Sequence, residues 1–309
     1  MMSQTLLKKI TFFSIIICLA SCASVSKTEF SQQSNKQLAK HIILIGSDGL
    51  GAYAFEKAKI PNLRKMMNNG SYSLKARAVL PSSSAVNWAS MLMGSGPELH
   101  GFTEWDSREP ELPSATLGKS GIYPTIFSLV DTQLPNAKKG ASYTWGGIRN
   151  VFERKLVDMD YNGSTDEKTL EHALEFITEE KPVFTFIHLD EPDHTGHKQG
   201  FDSNEYYEAV EHMDSLVGEI LSSLEENKLM DETLIIFTAD HGGNRKSHGG
   251  KTLKEVEIPW IAYGKGISNQ GRINSTIVTY DTGATIAYLL GLQIPESWRG
   301  KPVTNIIKK

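Results

Sequence analysis

Apolar residues along this chain fall into two patterns, short unbroken runs and longer stretches with three- and four-residue spacing. The run His41-Ile42-Ile43-Leu44-Ile45 is apolar at successive positions, which suits a strand buried on both faces. It stops at Gly46-Ser47-Asp48-Gly49. Residues Pro61 to Asn69 predict a short helix, with proline at its start and Gly70 at its end. A helix from about Glu167 to Glu180 leads into a second apolar run, Val183 to Leu189. Val210, Met213, Val217, Ile220 and Leu224 then mark one face of a long amphipathic helix. Two more apolar runs follow, Leu234 to Thr238 and Ile258 to Tyr263. Strands alternating with helices predict an α/β fold, doubly wound, with a mostly parallel sheet and helices on both faces. Residues 100–121 carry Trp105, prolines, glycines and charges, and predict a loop insertion or small cap on a single domain spanning 39–309. No repeat at a solenoid period is present.

The first residues follow a different logic. Lys8 and Lys9 precede an apolar run from Ile10 to Ala20, too short for the ~20 residues that span a bilayer. The run ends in Leu19-Ala20-Ser21-Cys22, which resembles a bacterial lipobox. That resemblance implies a signal peptide over residues 1–22, lipidation of Cys22 and an exported, membrane-anchored protein facing the periplasm or cell surface. Residues 23–38 are rich in Ser, Lys, Gln and Asn and predict a flexible tether.

Composition narrows the chemistry. Thirty-two basic residues against 36 acidic ones, net −4, give no basic footprint for nucleic acid. The two cysteines are Cys18 and Cys22, so no internal disulfide is expected and a metal site must use His, Asp and Glu.

Three predicted strand ends carry acids: Asp48, the segment from Asp190 to Asp193, and Asp240. Catalytic and binding groups in open α/β sheets collect at such ends. Alone, Asp48 before glycines at a strand end reads first as a turn or helix-cap residue. Asp240-His241-Gly242-Gly243 sends two potential ligands off one strand, and the glycines allow a tight turn. The segment Asp190-Glu191-Pro192-Asp193-His194-Thr195-Gly196-His197 is denser, and Asp193 and His197 would share a face of one helical turn. Carboxylate with imidazole suits zinc. None of the nine histidines lies beyond His248, so an imidazole ligand from the last third must be His241 or His248. A serine run, Ser82-Ser83-Ser84, precedes an apolar helix from Ala85 to Met93. A serine at that helix start would meet free N–H groups that favour a phosphate.

Together these segments resemble the alkaline phosphatase superfamily, closest to its type I phosphodiesterase/nucleotide pyrophosphatase branch, over nearly all of residues 41–303. Asp48-Gly49 matches the family's strand-end Asp-Gly. Its nucleophile segment, Thr-x-Pro-Asn followed by Gly-x-x-Pro-Glu-x-His-Gly, aligns with Ser84-Ala85-Val86-Asn87 and Gly94 to Gly101. Glu191 to His197 meets Glu-Pro-Asp-x-x-Gly-His residue for residue, and Asp240-His241-Gly242 meets Asp-His-Gly. Asp281 to Gly291 and Trp298-Arg299-Gly300-Lys301-Pro302 look like the family's last helix and tail.

The resemblance implies a phosphohydrolase with two divalent metal ions, zinc by analogy, and a small-molecule phosphate ester as substrate. Asp48, Ser84, Asp240 and His241 would surround one ion, and Asp193, His197 and His248 the other. Ser84 would be the nucleophile, passing through a phosphoserine, and Asn87 would contact substrate. The chain departs from the pattern in having Ser for Thr, Val86 for Pro, and Trp105 where the branch has a phosphate-holding Asn. Monoester and diester substrates both remain open, with Arg149 and Lys251 as cations that a monoester could use. A sulfatase shares the fold, but its (Cys/Ser)-x-Pro-x-Arg motif is not met after Ser84. The non-enzyme alternative is a metal-binding surface lipoprotein.

Overall fold

A computed structural model describes residues 37–308 of the chain. Its strands are β1 (His41–Ser47), β2 (Ser71–Arg77), β3 (Lys139–Tyr143), β4 (Met159–Asn162), β5 (Phe184–Leu189), β6 (Thr233–Ala239), β7 (Glu257–Gly264) and β8 (Gly271–Arg272). Its α-helices are α1 (Pro61–Asn68), α2 (Ser84–Met93), α3 (Pro97–His100), α4 (Ile126–Gln133), α5 (Asp166–Glu180), α6 (Asp193–Gln199), α7 (Asn204–Glu226), α8 (Leu253–Val256) and α9 (Asp281–Leu289).

All eight strands join one sheet in the order β4-β3-β5-β1-β6-β7-β2-β8. The first five are mutually parallel, as the alternating pattern predicts. β7 runs antiparallel to both β6 and β2, so the sheet is mostly rather than wholly parallel. Every residue of β3, β5 and β6 is buried, which requires cover on both faces. The helices supply it in two groups in contact among themselves, α1 and α5 with α7, and α2 and α4 with α9.

Register decides where the chemistry falls. Ser47 lies opposite Leu189 on β5 and opposite Ala239 on β6. The residues that follow, Asp48, Asp190 and Asp240, therefore leave three adjacent strands at the same level. Residues 101–122 contain no helix or strand. Glu111 ties this segment together, accepting hydrogen bonds from the Thr103 N–H and the Ser107 hydroxyl.

The signal peptide and most of the tether lie outside the described residues. The tether's expected boundary needs one correction. The N–H of Leu38 donates to the Leu289 carbonyl at 3.0 Å, and its side chain packs on the core. An apolar residue beside the start of β1 gains more from that contact than from solvent.

Behind the strand ends, Trp88 on α2 fills the space over Gly46. It is fully buried and packs on Phe186 at 5.6 Å between ring centroids. A Cβ at position 46 would come within 2.4 Å of the Trp88 ring, so only glycine fits. Gly46→Ala is expected to lower unfolding stability by about 1–3 kcal/mol through overpacking. Urea unfolding monitored by tryptophan fluorescence checks this; an unchanged midpoint would mean that α2 gives way freely.

Candidate active site

Six side chains able to ligate a metal ion converge at the carboxyl ends of β1, β5 and β6, in two groups. Asp48, Asp240 and His241 form the first, and Asp193, His197 and His248 the second. In each, one donor atom per residue lies within 4.8 Å of the others. Asp48, Asp240 and His241 are almost wholly buried, whereas His197 is exposed and Asp193 and His248 are intermediate. Asp190 and His194 stand outside both groups; the His194 ring instead meets the Lys198 ammonium at 2.6 Å.

Local structure explains each placement. Asp193 opens α6, and His197 follows one turn later, so His197 Nε2 reaches Asp193 Oδ2 at 3.3 Å. Gly49 turns the chain at φ +68, and a Cβ there would lie 2.8 Å from the Asp193 Cα. Glycine thus lets the β1 and β5 ends approach each other. The loop from Gly242 to Thr252 returns His248 to the strand tips. Ser82 holds it there, its carbonyl accepting from Gly249 N at 2.8 Å and meeting His248 Nδ1 at 3.2 Å. Glu255 closes the same loop by accepting from Gly250 N and Thr252 N. His248 stacks on His241 with ring centroids 3.8 Å apart.

The three imidazoles share one orientation. His197 Nδ1 meets the Lys246 carbonyl at 3.0 Å, His241 Nδ1 the Gly242 carbonyl at 2.9 Å, and His248 Nδ1 the Ser82 carbonyl. A carbonyl can only accept, so Nδ1 carries a proton in all three, and in His241 and His248 Nε2 is left to offer a lone pair to the cluster. His197 Nε2 instead faces Asp193 Oδ2, a pairing that raises the imidazole to about 9, so a cation there would displace its proton. This outer shell is what metal-binding histidines need.

The carboxylates are equally poised. Asp48 Oδ2 accepts from Trp88 Nε1 at 3.1 Å and pairs with His188 Nε2 at 3.0 Å. Asp240 Oδ1 accepts from His241 N at 2.8 Å and Gly49 N at 3.2 Å. Asp48 Oδ1, Asp193 Oδ1 and Asp240 Oδ2 are buried and make no hydrogen bond among the described residues. Uncompensated buried oxygens are costly unless a cation meets them. Burial, then Asp48, pushes the Asp193 carboxyl up to about 7; burial, then Asp48 and Asp193, drives Asp240 well above its usual range. Burial would raise Asp48 too, but His188, His241 and Trp88 hold it down at about 2. Burial and the neighbouring His248 keep His241 neutral, with its pKa down at about 3. Hard carboxylate oxygens with the neutral imidazoles of His241 and His248, and with His197 once its proton is displaced, fit divalent ions of the zinc type.

Ser84 is the first residue of α2, and its Oγ lies 3.2 Å from His241 Nε2, at the edge of the first group. Two expectations need correction. Asn87 is fully buried, its Oδ1 accepting from Val79 N at 2.8 Å and its Nδ2 donating to the Pro81 and Ser83 carbonyls. It braces the loop before Ser84 and has no free face for substrate. The start of α2 is also less open than its position predicts, because Ala85 N donates to the Trp105 carbonyl at 3.1 Å.

Several residues that shape the site carried no sequence signal of their own. His188 sits inside an apolar strand, and Trp88 inside an apolar helix, where packing alone would explain them. Asp166 accepts from Asp190 N and Glu191 N, fixing the turn that delivers Asp193 from another element. Beside the second group opens a cleft of about 480 Å³ lined by Pro81, Thr103, Trp105, His197 and His248.

His188→Phe removes one of the two hydrogen bonds that orient Asp48. Zinc affinity at the Asp48 group is expected to fall about 10–100-fold, with the Asp193 group little affected. Competition with a chromogenic chelator measures both; equal affinities in variant and parent would show that Trp88 suffices.

The family model described as Type I phosphodiesterase / nucleotide pyrophosphatase matches residues 42–256. Ectonucleotide pyrophosphatase/phosphodiesterase family member 1 from Mus musculus is 27% identical over 221 residues, 66% of this chain and 24% of that protein. Venom phosphodiesterase 2 from Crotalus adamanteus is 26% identical over 238 residues, 73% of this chain and 28% of that protein. The chain thus spans about a quarter of the length of these curated relatives. Among solved structures, an inactive variant of murine ectonucleotide pyrophosphatase/phosphodiesterase 5 in complex with AMP superposes with a TM-score of 0.73. It is 16% identical, covering 87% of this chain and 100% of that one. A 2-O GAG sulfatase superposes with a TM-score of 0.69 at 15% identity, covering 87% of this chain and 74% of that one. These two likenesses concern the fold alone. With the family model covering most of the described sheet and the six clustered acids and histidines, the chain belongs to the type I phosphodiesterase / nucleotide pyrophosphatase family.

Proposed function

We propose that this chain hydrolyses a small phosphate diester through a phosphoserine formed on Ser84. The observation that carries the reading is the position of Ser84 Oγ, 3.2 Å from His241 Nε2 at the edge of a buried Asp48–Asp240–His241 group. Two divalent ions, with zinc the best match to the donors, would be held by Asp48, Asp240, His241 and Ser84, and by Asp193, His197 and His248. When bound, such ions supply positive charge that activates a hydroxyl and neutralises phosphate oxygens.

The chain's own residues do the rest. Asn87 and the Trp105 carbonyl brace the backbone on either side of Ser84, so its oxygen is aimed before substrate arrives. The Ser84 hydroxyl gives up its proton, and its oxygen attacks phosphorus from the side opposite the leaving alcohol. The Ser84 O–P bond forms as the bond to that alcohol breaks, and the alcohol leaves protonated. Water then attacks phosphorus, Ser84 departs and regains a proton, and a phosphate monoester is released. One water is consumed for each ester bond cleaved.

The test is turnover of bis-p-nitrophenyl phosphate by zinc-loaded protein, with p-nitrophenyl phosphate and p-nitrophenyl sulfate as controls. The diester is expected to be the better substrate and the sulfate to remain at background. Ser84→Ala is expected to reduce diester turnover by about 1,000-fold or more. Turnover that survives Ser84→Ala would overturn the nucleophile.

We also propose the lipid anchor at Cys22, on the strength of Leu19-Ala20-Ser21-Cys22 after a short apolar run. No helix among the described residues is long and apolar enough to cross a membrane. Expressed in a bacterium, Cys22→Ser is expected to move the protein from the membrane to the soluble fraction. Retention in the membrane would contradict the anchor.

A further inference from the structure

A second cleft, about 580 Å³, lies on the other side of Trp105 and belongs to none of the metal-ligating residues. Trp105, Trp145, Arg108 and Arg149 line it, together with Asp106 and Asn150. Trp105 is more than half exposed and lines both this cleft and the one beside His197 and His248. Its carbonyl accepts from the N–H of Ala85, the residue after Ser84, so the partition between the clefts is tied to the nucleophile. Trp145 approaches the same apparatus from another side, its ring centroid 6.4 Å from His188, which pairs with Asp48.

The second cleft is built rather than incidental. The Trp145 ring lies against the backbone of Gly147, where a Cβ would come within 2.2 Å of it. Arg149 Nη2 donates to Asn162 Oδ1. Asn162 is clamped in turn, donating to the Tyr143 carbonyl at 3.0 Å and the Thr144 carbonyl at 2.8 Å. The guanidinium is thereby set in place without losing its charge. Arg77 and Arg154 pair with Glu257 and Asp160, whereas Arg108 and Arg149 meet no carboxylate within ion-pair distance among the described residues. Asp106 shares the cleft and pairs with neither.

We propose that this cleft is a subsite for a second anionic group, carried with a planar ring on one arm of the substrate, and that Arg149 is its specificity-determining contact. A guanidinium fork binds phosphate or carboxylate oxygens bidentately, and indole faces stack on flat rings. The inference rests on Ser84 as nucleophile, since that puts the reacting phosphorus beside the wall between two clefts. A diester has two arms to fill them, and a monoester has one.

The test separates binding from catalysis. Calorimetry on zinc-loaded Ser84→Ala protein compares thymidine 5′-monophosphate with thymidine 3′,5′-bisphosphate, which differ by the second phosphate alone. The bisphosphate is expected to bind about tenfold more tightly. Arg149→Gln in the same background is expected to bring the ratio to within about twofold, and Arg149→Lys to restore part of it. Equal affinities for the two ligands, or a ratio indifferent to Arg149→Gln, would overturn the subsite. Should the ratio depend on Arg149 while wild-type protein fails to turn over bis-p-nitrophenyl phosphate, the subsite would stand and the proposed catalysis would fall.

Discussion

Three carboxylates, each with a buried oxygen, held within reach of one another beyond the ends of adjacent strands are the constraint around which this molecule is arranged. Asp48, Asp193 and Asp240 each keep an oxygen in the interior without a hydrogen bond among the described residues. Their mutual repulsion and burial would favour protonation or unfolding unless positive charge is supplied. The parallel register of β5, β1 and β6 brings Asp48 and Asp240 level, and the turn after β5 adds Asp193 at the start of α6.

The surrounding structure answers that conflict from several directions. Main-chain carbonyls from Gly242, Ser82 and Lys246 turn three histidines so that Nε2 faces inward. Asp166 and Glu255 fix the two loops that bring in Asp193 and His248, neither of them touching the cluster. Trp88 and His188 hold Asp48 from behind. Strain tolerated around these acids is compensated by ordinary packing and hydrogen bonds from neighbouring elements.

Much of this was legible in the chain, for identifiable reasons. Unbroken apolar runs mark β1, β5 and β6 because strands buried on both faces need no polar alternation. The same pattern could not show that β7 runs antiparallel, since Ile258 to Tyr263 is just as apolar. β3 escaped notice because Lys139-Gly140-Ala141-Ser142-Tyr143 is buried yet mostly small or polar. Asp193 and His197 sit four apart, but so do Asp190 and His194, and only the match to Glu-Pro-Asp-x-x-Gly-His picked the first pair; His248 depended on a loop closed by main-chain groups. Asn87 shows the opposite case: its place in a motif suggested a substrate contact, and burial gives it a bracing role.

The central claim is that the six residues form two cation sites with Ser84 beside the first. The most direct measurement is anomalous diffraction from crystals grown with zinc, collected on both sides of the zinc absorption edge. The account predicts two peaks, each ~2.0–2.2 Å from its ligands, one among Asp48, Asp240 and His241 and the other among Asp193, His197 and His248. A single peak, or none at these positions, would contradict it.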